Sequence, residues 1–157
     1  MTVPLRLDVR RGAGRGGDVA TEMSLDVPSA LEYVGPAVDL IANQFFGARP
    51  PFRLSPRRVR FNLRVALAEV LGNAIAYGNR EDPRRVVRVR VEVRRDTVRV
   101  HVTDEGAGFD PAAVPDPTLP ERLEREDGRG LYVVRRLVDE VAFNDKGNSV
   151  CLTLRVD

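Results

Sequence analysis

Residues 66–79 read ALAEVLGNAIAYGN, and this stretch decides the fold. Its apolar positions continue a series that begins upstream. Val59, Leu63, Ala66, Leu67, Val70, Leu71, Ala74 and Ile75 recur three and four apart, the spacing of an amphipathic helix with one face on a core. Ser55 followed by Pro56 supplies a cap and a first-turn proline, so the helix is expected to run from there to about Gly78. Four residues of helix turn through about 400°, so Glu69 and Asn73 project from nearly one line beside the apolar stripe. A carboxylate and a carboxamide one turn apart can hold an oxygen-liganded magnesium ion and a nearby hydroxyl or water. They equally suit the solvated flank of such a helix, and the pair alone does not choose.

Outward from this helix the pattern changes period. Val86–Val93 and Thr97–Thr103 alternate valine with polar residues across the tight Arg94-Arg95-Asp96 turn, which predicts a hairpin with one apolar face. Upstream, EMSLDVP from Glu22 reads as a strand, and Ser29 reads as the cap of a helix to about Phe46, broken by GARPPFRLSP. Downstream, Leu131, Val133, Val134, Leu137 and Val138 mark a second core helix opened by Gly128-Arg129-Gly130. A strand near Val141–Asn144, a turn at Asp145-Lys146-Gly147-Asn148 and a last strand from Ser149 to Val156 follow. Helices before and among antiparallel strands predict an α/β two-layer sandwich, with helices on one face of a mixed, mainly antiparallel sheet.

The 157 residues suit one domain with a single core. Residues 1–20 pass from a short alternation (Val3, Leu5, Leu7, Val9) into RRGAGRGGD, and read as a flexible Arg/Gly-rich N-terminal extension to a domain at 21–157. No apolar run approaches the roughly 20 residues of a membrane span, and the N-terminus lacks the apolar core of a signal peptide. A cytoplasmic chain is expected, with no membrane partner. Lys146 is the only lysine, every other basic residue being arginine, and the net charge is +2. Arginine alternating with valine is first a solvated strand face, and few aromatics are interleaved with it, so no direct nucleic-acid partner is expected. Cys151, the one cysteine, lies in an alternating apolar segment and reads as core filling.

Two loops carry further chemistry. Asp104-Glu105-Gly106-Ala107-Gly108-Phe109 follows directly on a strand. Glycines two apart let the chain approach a ligand closely, and Asp104 at the strand end can accept a hydrogen bond from an exocyclic amine such as that of adenine. A plain acidic turn would use the same residues. Gly128-Arg129-Gly130-Leu131 begins a helix, where free N–H groups make an anion site and Arg129 adds a charged contact, although an ordinary glycine-rich helix entry looks alike. Neither a Walker A sequence nor a dinucleotide GxGxxG accompanies it.

The order of these pieces is more specific than any one: ExxxN on a helix, DxGxG after a strand, a pliable loop, then GxG before a helix. Together they resemble the three ATP-binding boxes of the GHKL ATPases, over roughly residues 22–156. NAIAYGN, DEGAGFDP, GRGLYVVRRLVDEV and GNSVCLTL further resemble the anti-sigma-factor serine-protein kinases, the RsbW-like branch. The resemblance implies the Bergerat ATP-binding fold, with ATP and Mg2+ as cofactors. It implies Glu69 as catalytic base and Asn73 as magnesium ligand, and places Asp104 on adenine with Gly106 and Gly108 beside the base. It puts Gly128 and Gly130 on phosphate, adds Tyr77, Phe109, Arg129 and Leu131 to the ATP site, and makes residues 109–127 the lid. It further implies an anti-anti-sigma (STAS) protein as substrate, a sigma factor as captive and a homodimer. Gly72 stands where some members carry a hydroxyl residue. The alternatives are a non-catalytic ATP-binding partner-switch module and a stand-alone histidine-kinase-type ATPase domain. The latter class needs a phosphoacceptor histidine on a helical hairpin, and the only histidine, His101, sits among alternating valines and reads as an exposed strand residue.

Overall fold

Valines at every second position commit the centre of the chain to a sheet with one wet and one dry face. In the computed structural model, which describes residues 5–11, 21–46, 57–94, 96–107 and 126–155, Val87, Val89, Val91 and Val93 are buried while Arg88 and Arg90 between them are exposed. The elements are β1 (Arg6–Arg11), β2 (Thr21–Pro28), α1 (Val34–Phe46), α2 (Arg64–Asn73), β3 (Val86–Val93), β4 (Thr97–Thr103), α3 (Glu126–Leu137), β5 (Glu140–Phe143) and β6 (Ser149–Arg155). The six strands lie in the order β1-β2-β3-β4-β6-β5, and every neighbouring pair is antiparallel. This is the expected α/β sandwich. The dry face packs on Ala37, Val38 and Ile41 of α1, Leu67, Val70 and Leu71 of α2, and Val134 of α3. Truncating a fully buried side chain such as Leu71 to alanine costs about 2–5 kcal/mol in a core of this kind.

Helix α2 is extended at both ends by wider turns, Arg58–Leu63 and Ala74–Gly78. It runs antiparallel to α3. Arg58 Nη2 meets Asp139 Oδ2, just past the end of α3, at 2.7 Å, and the same carboxylate oxygen accepts the Arg155 N–H of β6 at 2.6 Å. The other end of the pair brings Glu69 against Gly130. No helix among the described residues is long and apolar enough to cross a membrane.

Four expectations are corrected. Arg6–Arg11, read as part of a flexible arm, is an edge strand in register with β2, Leu7 opposite Leu25 and Val9 opposite Met23. Leu5 and Leu7 pack on the core, so the alternation there is a strand signal that the adjoining glycine-arginine run obscures. Ser29 caps no helix: a short tight turn, Leu31–Tyr33, precedes α1, and the Ser29 hydroxyl donates instead to the Arg85 carbonyl at 2.6 Å. Gly128 and Gly130 lie inside α3 (Glu126–Leu137) rather than before it. Cys151 is half-buried on the wet face, its Sγ 3.9 Å from His101 Nε2 across the β4–β6 pair, because Val150 and Leu152 take the inward positions. The helix start at Ser55-Pro56, the break before it and most of the lid at 109–127 lie outside the described residues.

Candidate functional site

The ends of α2 and β4, the first turns of α3 and the β5–β6 turn enclose a cleft of about 530 Å³. Val70, Ala74, Val102, Leu131, Phe143 and Val150 give it apolar walls, and Asn73, Tyr77, Gly78, Asp104 and Asn148 place polar groups among them. A flat apolar body with a few polar edges fits such a lining.

At one end, the helix periodicity that buries Val70 and Leu71 turns Glu69 and Asn73 toward α3. A methyl group on Gly130 would lie 2.8 Å from Glu69 Oε2 and 3.4 Å from Asn73 Nδ2. A side chain at 130 would therefore displace the Glu69 carboxylate from this position. Asn73 lines the cleft and Glu69 is exposed at its rim.

At the other end stands Asp104, directly after β4. Its Oδ1 accepts the Gly106 N–H at 2.8 Å. A side chain on Gly78 would run into the Asp104 carboxylate, and one on Gly106 into the Gly78 carbonyl oxygen. Backbone at 78 and 106 thus closes around this carboxyl at a distance only glycine allows. Burial pushes the Asp104 carboxyl above its ordinary value, while the Gly106 N–H, Lys146 and Arg85 pull it back. Its main chain is pinned by Asn148, whose carbonyl accepts the Asp104 N–H at 2.9 Å and whose Nδ2 donates to the Asp104 carbonyl at 2.9 Å.

Of the residues singled out from sequence, Asn73, Tyr77, Asp104 and Leu131 line this one cleft, with Tyr77 largely exposed and Leu131 buried. Glu69 and Gly130 meet at its rim, and Gly106 packs behind Asp104. Gly128 and Arg129 fall in the first turn of α3, whereas Gly108 and Phe109 lie outside the described residues. Sequence reading passed over Gly78, Asn79, Arg80, Arg85 and Asn148. Gly78 and Asn79 were in view as the end of the helix, and the Gly147-Asn148 pair as a turn. Their contacts to residues 104–106 are long-range and leave no local signal. Arg80 and Glu81 adopt left-handed backbone, φ 53° and 54°, a conformation that side-chain-bearing residues take up at special turns.

The residues present fit a purine nucleotide with its metal. Asp104 offers a half-buried acceptor for an exocyclic amine, and the apolar walls accept the faces of a base. Asn73 contributes a carboxamide oxygen of the hard kind magnesium takes beside phosphate oxygens.

Residues 27–154 match the model of the histidine kinase-like ATPase domain. Over 143 residues the chain is 29% identical to the serine-protein kinase RsbW of Bacillus subtilis (strain 168), covering 85% of each. It is 32% identical over 96 residues to the anti-sigma F factor of Geobacillus thermodenitrificans (strain NG80-2), covering 57% of this chain and 65% of that one. To the serine/threonine-protein kinase BtrW of Bordetella bronchiseptica (strain ATCC BAA-588 / NCTC 13252 / RB50) it is 25% identical over 99 residues, covering 62% and 70%.

Proposed function

This chain belongs to the histidine kinase-like ATPase domain family, in the RsbW-like branch of the GHKL superfamily, and from that premise we propose that it is an ATP-dependent serine/threonine-protein kinase and anti-sigma factor. Its substrate is a serine of an anti-anti-sigma (STAS) partner, and its captive a sigma factor, held by a cytoplasmic homodimer. One observation carries the reading: Glu69 and Asn73 converge on Gly130 at one end of a cleft whose other end is closed by Asp104.

ATP with magnesium supplies, when bound, the phosphoryl group to be transferred and the charge that offsets its oxygens. Each residue has a part suited to its place. Asp104 accepts the amine of adenine and rejects a base that presents a carbonyl there, because two acceptors would face each other without a proton. Asn73 ligates magnesium, and the N–H groups at the start of α3 receive phosphate oxygens. Glu69, at the exposed rim, takes the proton of the incoming serine hydroxyl and, within reach of solvent, can hand it on.

The test is transfer from labelled Mg-ATP to a serine of a STAS-domain protein. Glu69→Gln should slow transfer by about 10²–10⁴, the range expected for a lost general base, with ATP affinity within a few-fold of wild type. Undiminished transfer in that variant removes Glu69 from the chemistry, and a wild-type protein that binds no ATP removes the whole reading.

A further inference from the structure

Beneath the adenine end of the cleft lies a polar knot. Asn79 is fully buried, 0% exposed. Its Oδ1 accepts the Glu105 N–H at 2.7 Å, and its Nδ2 donates to Ser29 Oγ at 3.0 Å. The Ser29 hydroxyl has already spent its proton on the Arg85 carbonyl at 2.6 Å, so toward residue 79 it can only accept. Glu105 in turn accepts the Val86 N–H on its Oε2 at 2.9 Å. Four segments meet here: the end of β2, the end of the α2 turns, the start of β3 and the loop after β4.

The geometry asks residue 79 for an acceptor and a donor at once, in one plane. A carboxamide supplies both. An aspartate would set two oxygens against each other at Ser29, and an apolar residue would leave the Glu105 N–H and the Ser29 oxygen short of partners in a dry place, each at a cost. The demand falls on the main chain of the residue immediately after Asp104. With Asn148 holding the Asp104 N–H and carbonyl from the other side, the strand end that carries the purine-reading carboxyl is gripped by two asparagines, one on each flank.

We propose that Asn79 is a positioning residue for base selection: it holds the Asp104-Glu105-Gly106 loop where the Asp104 carboxyl meets an adenine amine, and so sets the preference for adenine over guanine nucleotides without touching the nucleotide. This rests on the reading of the cleft as an ATP site. Moving the loop by a fraction of an ångström leaves the phosphate end, built from α2 and α3, in place, and blurs only the discrimination at the base.

The experiment is calorimetric titration of Mg-ATP and Mg-GTP into wild type, Asn79→Ala and Ser29→Ala, well below each midpoint of unfolding, with Asp104→Ala as reference. Wild type should prefer ATP. The ratio of the two affinities should fall about tenfold in Asn79→Ala and a few-fold in Ser29→Ala, as expected for lost buried hydrogen bonds. General destabilisation lowers the folded fraction and weakens both nucleotides by one common factor, so the ratio separates positioning from mere stability. Should Asn79→Ala fail to fold, Ser29→Ala, which removes the acceptor of the amide together with the donor to the Arg85 carbonyl, decides alone. An unchanged ratio in the folded variants overturns the proposal while leaving the ATP reading intact. A wild type that does not discriminate overturns the ATP reading and the proposal with it.

Discussion

Asp104 is both the residue proposed to read the ligand and one the fold holds at a disadvantage. Its ordinary value is 3.8, and burial raises it in the folded protein. Below 3.8 folded and unfolded chains both hold the proton and the residue costs nothing. As pH rises through the higher folded value, ionisation becomes easier unfolded than folded, and that share of stability is lost. Asp104→Asn should therefore raise the midpoint of thermal unfolding at pH 7, with the gain vanishing below about pH 3.8, while ATP binding weakens by about tenfold or more. Melts from pH 3 to 8 beside a titration check both signs, and a variant that is less stable at pH 7 contradicts the account. Gly72 offers the opposite case. It lies inside α2 with nothing within 4 Å of a would-be Cβ, so Gly72→Ala should stabilise by about 0.5–1 kcal/mol in denaturant melts, by helix propensity alone. ATP affinity should be unmoved.

Helix α2 gains its place from periodicity and its function from what that periodicity leaves over. Burying Leu67, Val70, Leu71 and Ala74 aims Glu69 and Asn73 at α3, so the contact between the two helices is the end of the cleft proposed to be catalytic. Gly130→Ala tests it. The added methyl meets the far end of the Glu69 side chain, which can swing away, so the midpoint of unfolding should stay within a few degrees while phosphoryl transfer drops. Retained transfer would show that Glu69 works from another position. This much was legible in sequence, because helix spacing, alternation and the order of three short motifs are local facts. Strands β3 and β4 have the expected bounds, Val86–Val93 and Thr97–Thr103, since alternating valines and a tight turn need no distant information. What was illegible depends on distant partners. Ser29 obeys the capping rule on paper, yet its hydroxyl is claimed by Arg85 and Asn79, about fifty residues on. Cys151 and Leu152 look alike in an apolar run until pairing with β4 assigns one to each face. Strand β1 carries only a short alternation and takes its identity from β2.

At the scale of the molecule, the cleft is part of the folded state and absent from the unfolded one, so a ligand that fills it must stabilise the whole. At a free concentration a hundred times its dissociation constant, Mg-ATP should add about 2.7 kcal/mol, or roughly 5–10 °C for a domain of this size. GTP should give less, and removal of magnesium should shrink the ATP response. A flat response to all three conditions would separate this chain from its family in function. The sheet order has another outcome. β6, made after β5, sits between β4 and β5. On the ribosome, the nascent chain therefore holds an open seam beside β4 until residues 149–155 emerge, and a stalled or shortened polypeptide presents chaperones with bare backbone where Leu152 and Leu154 should lie.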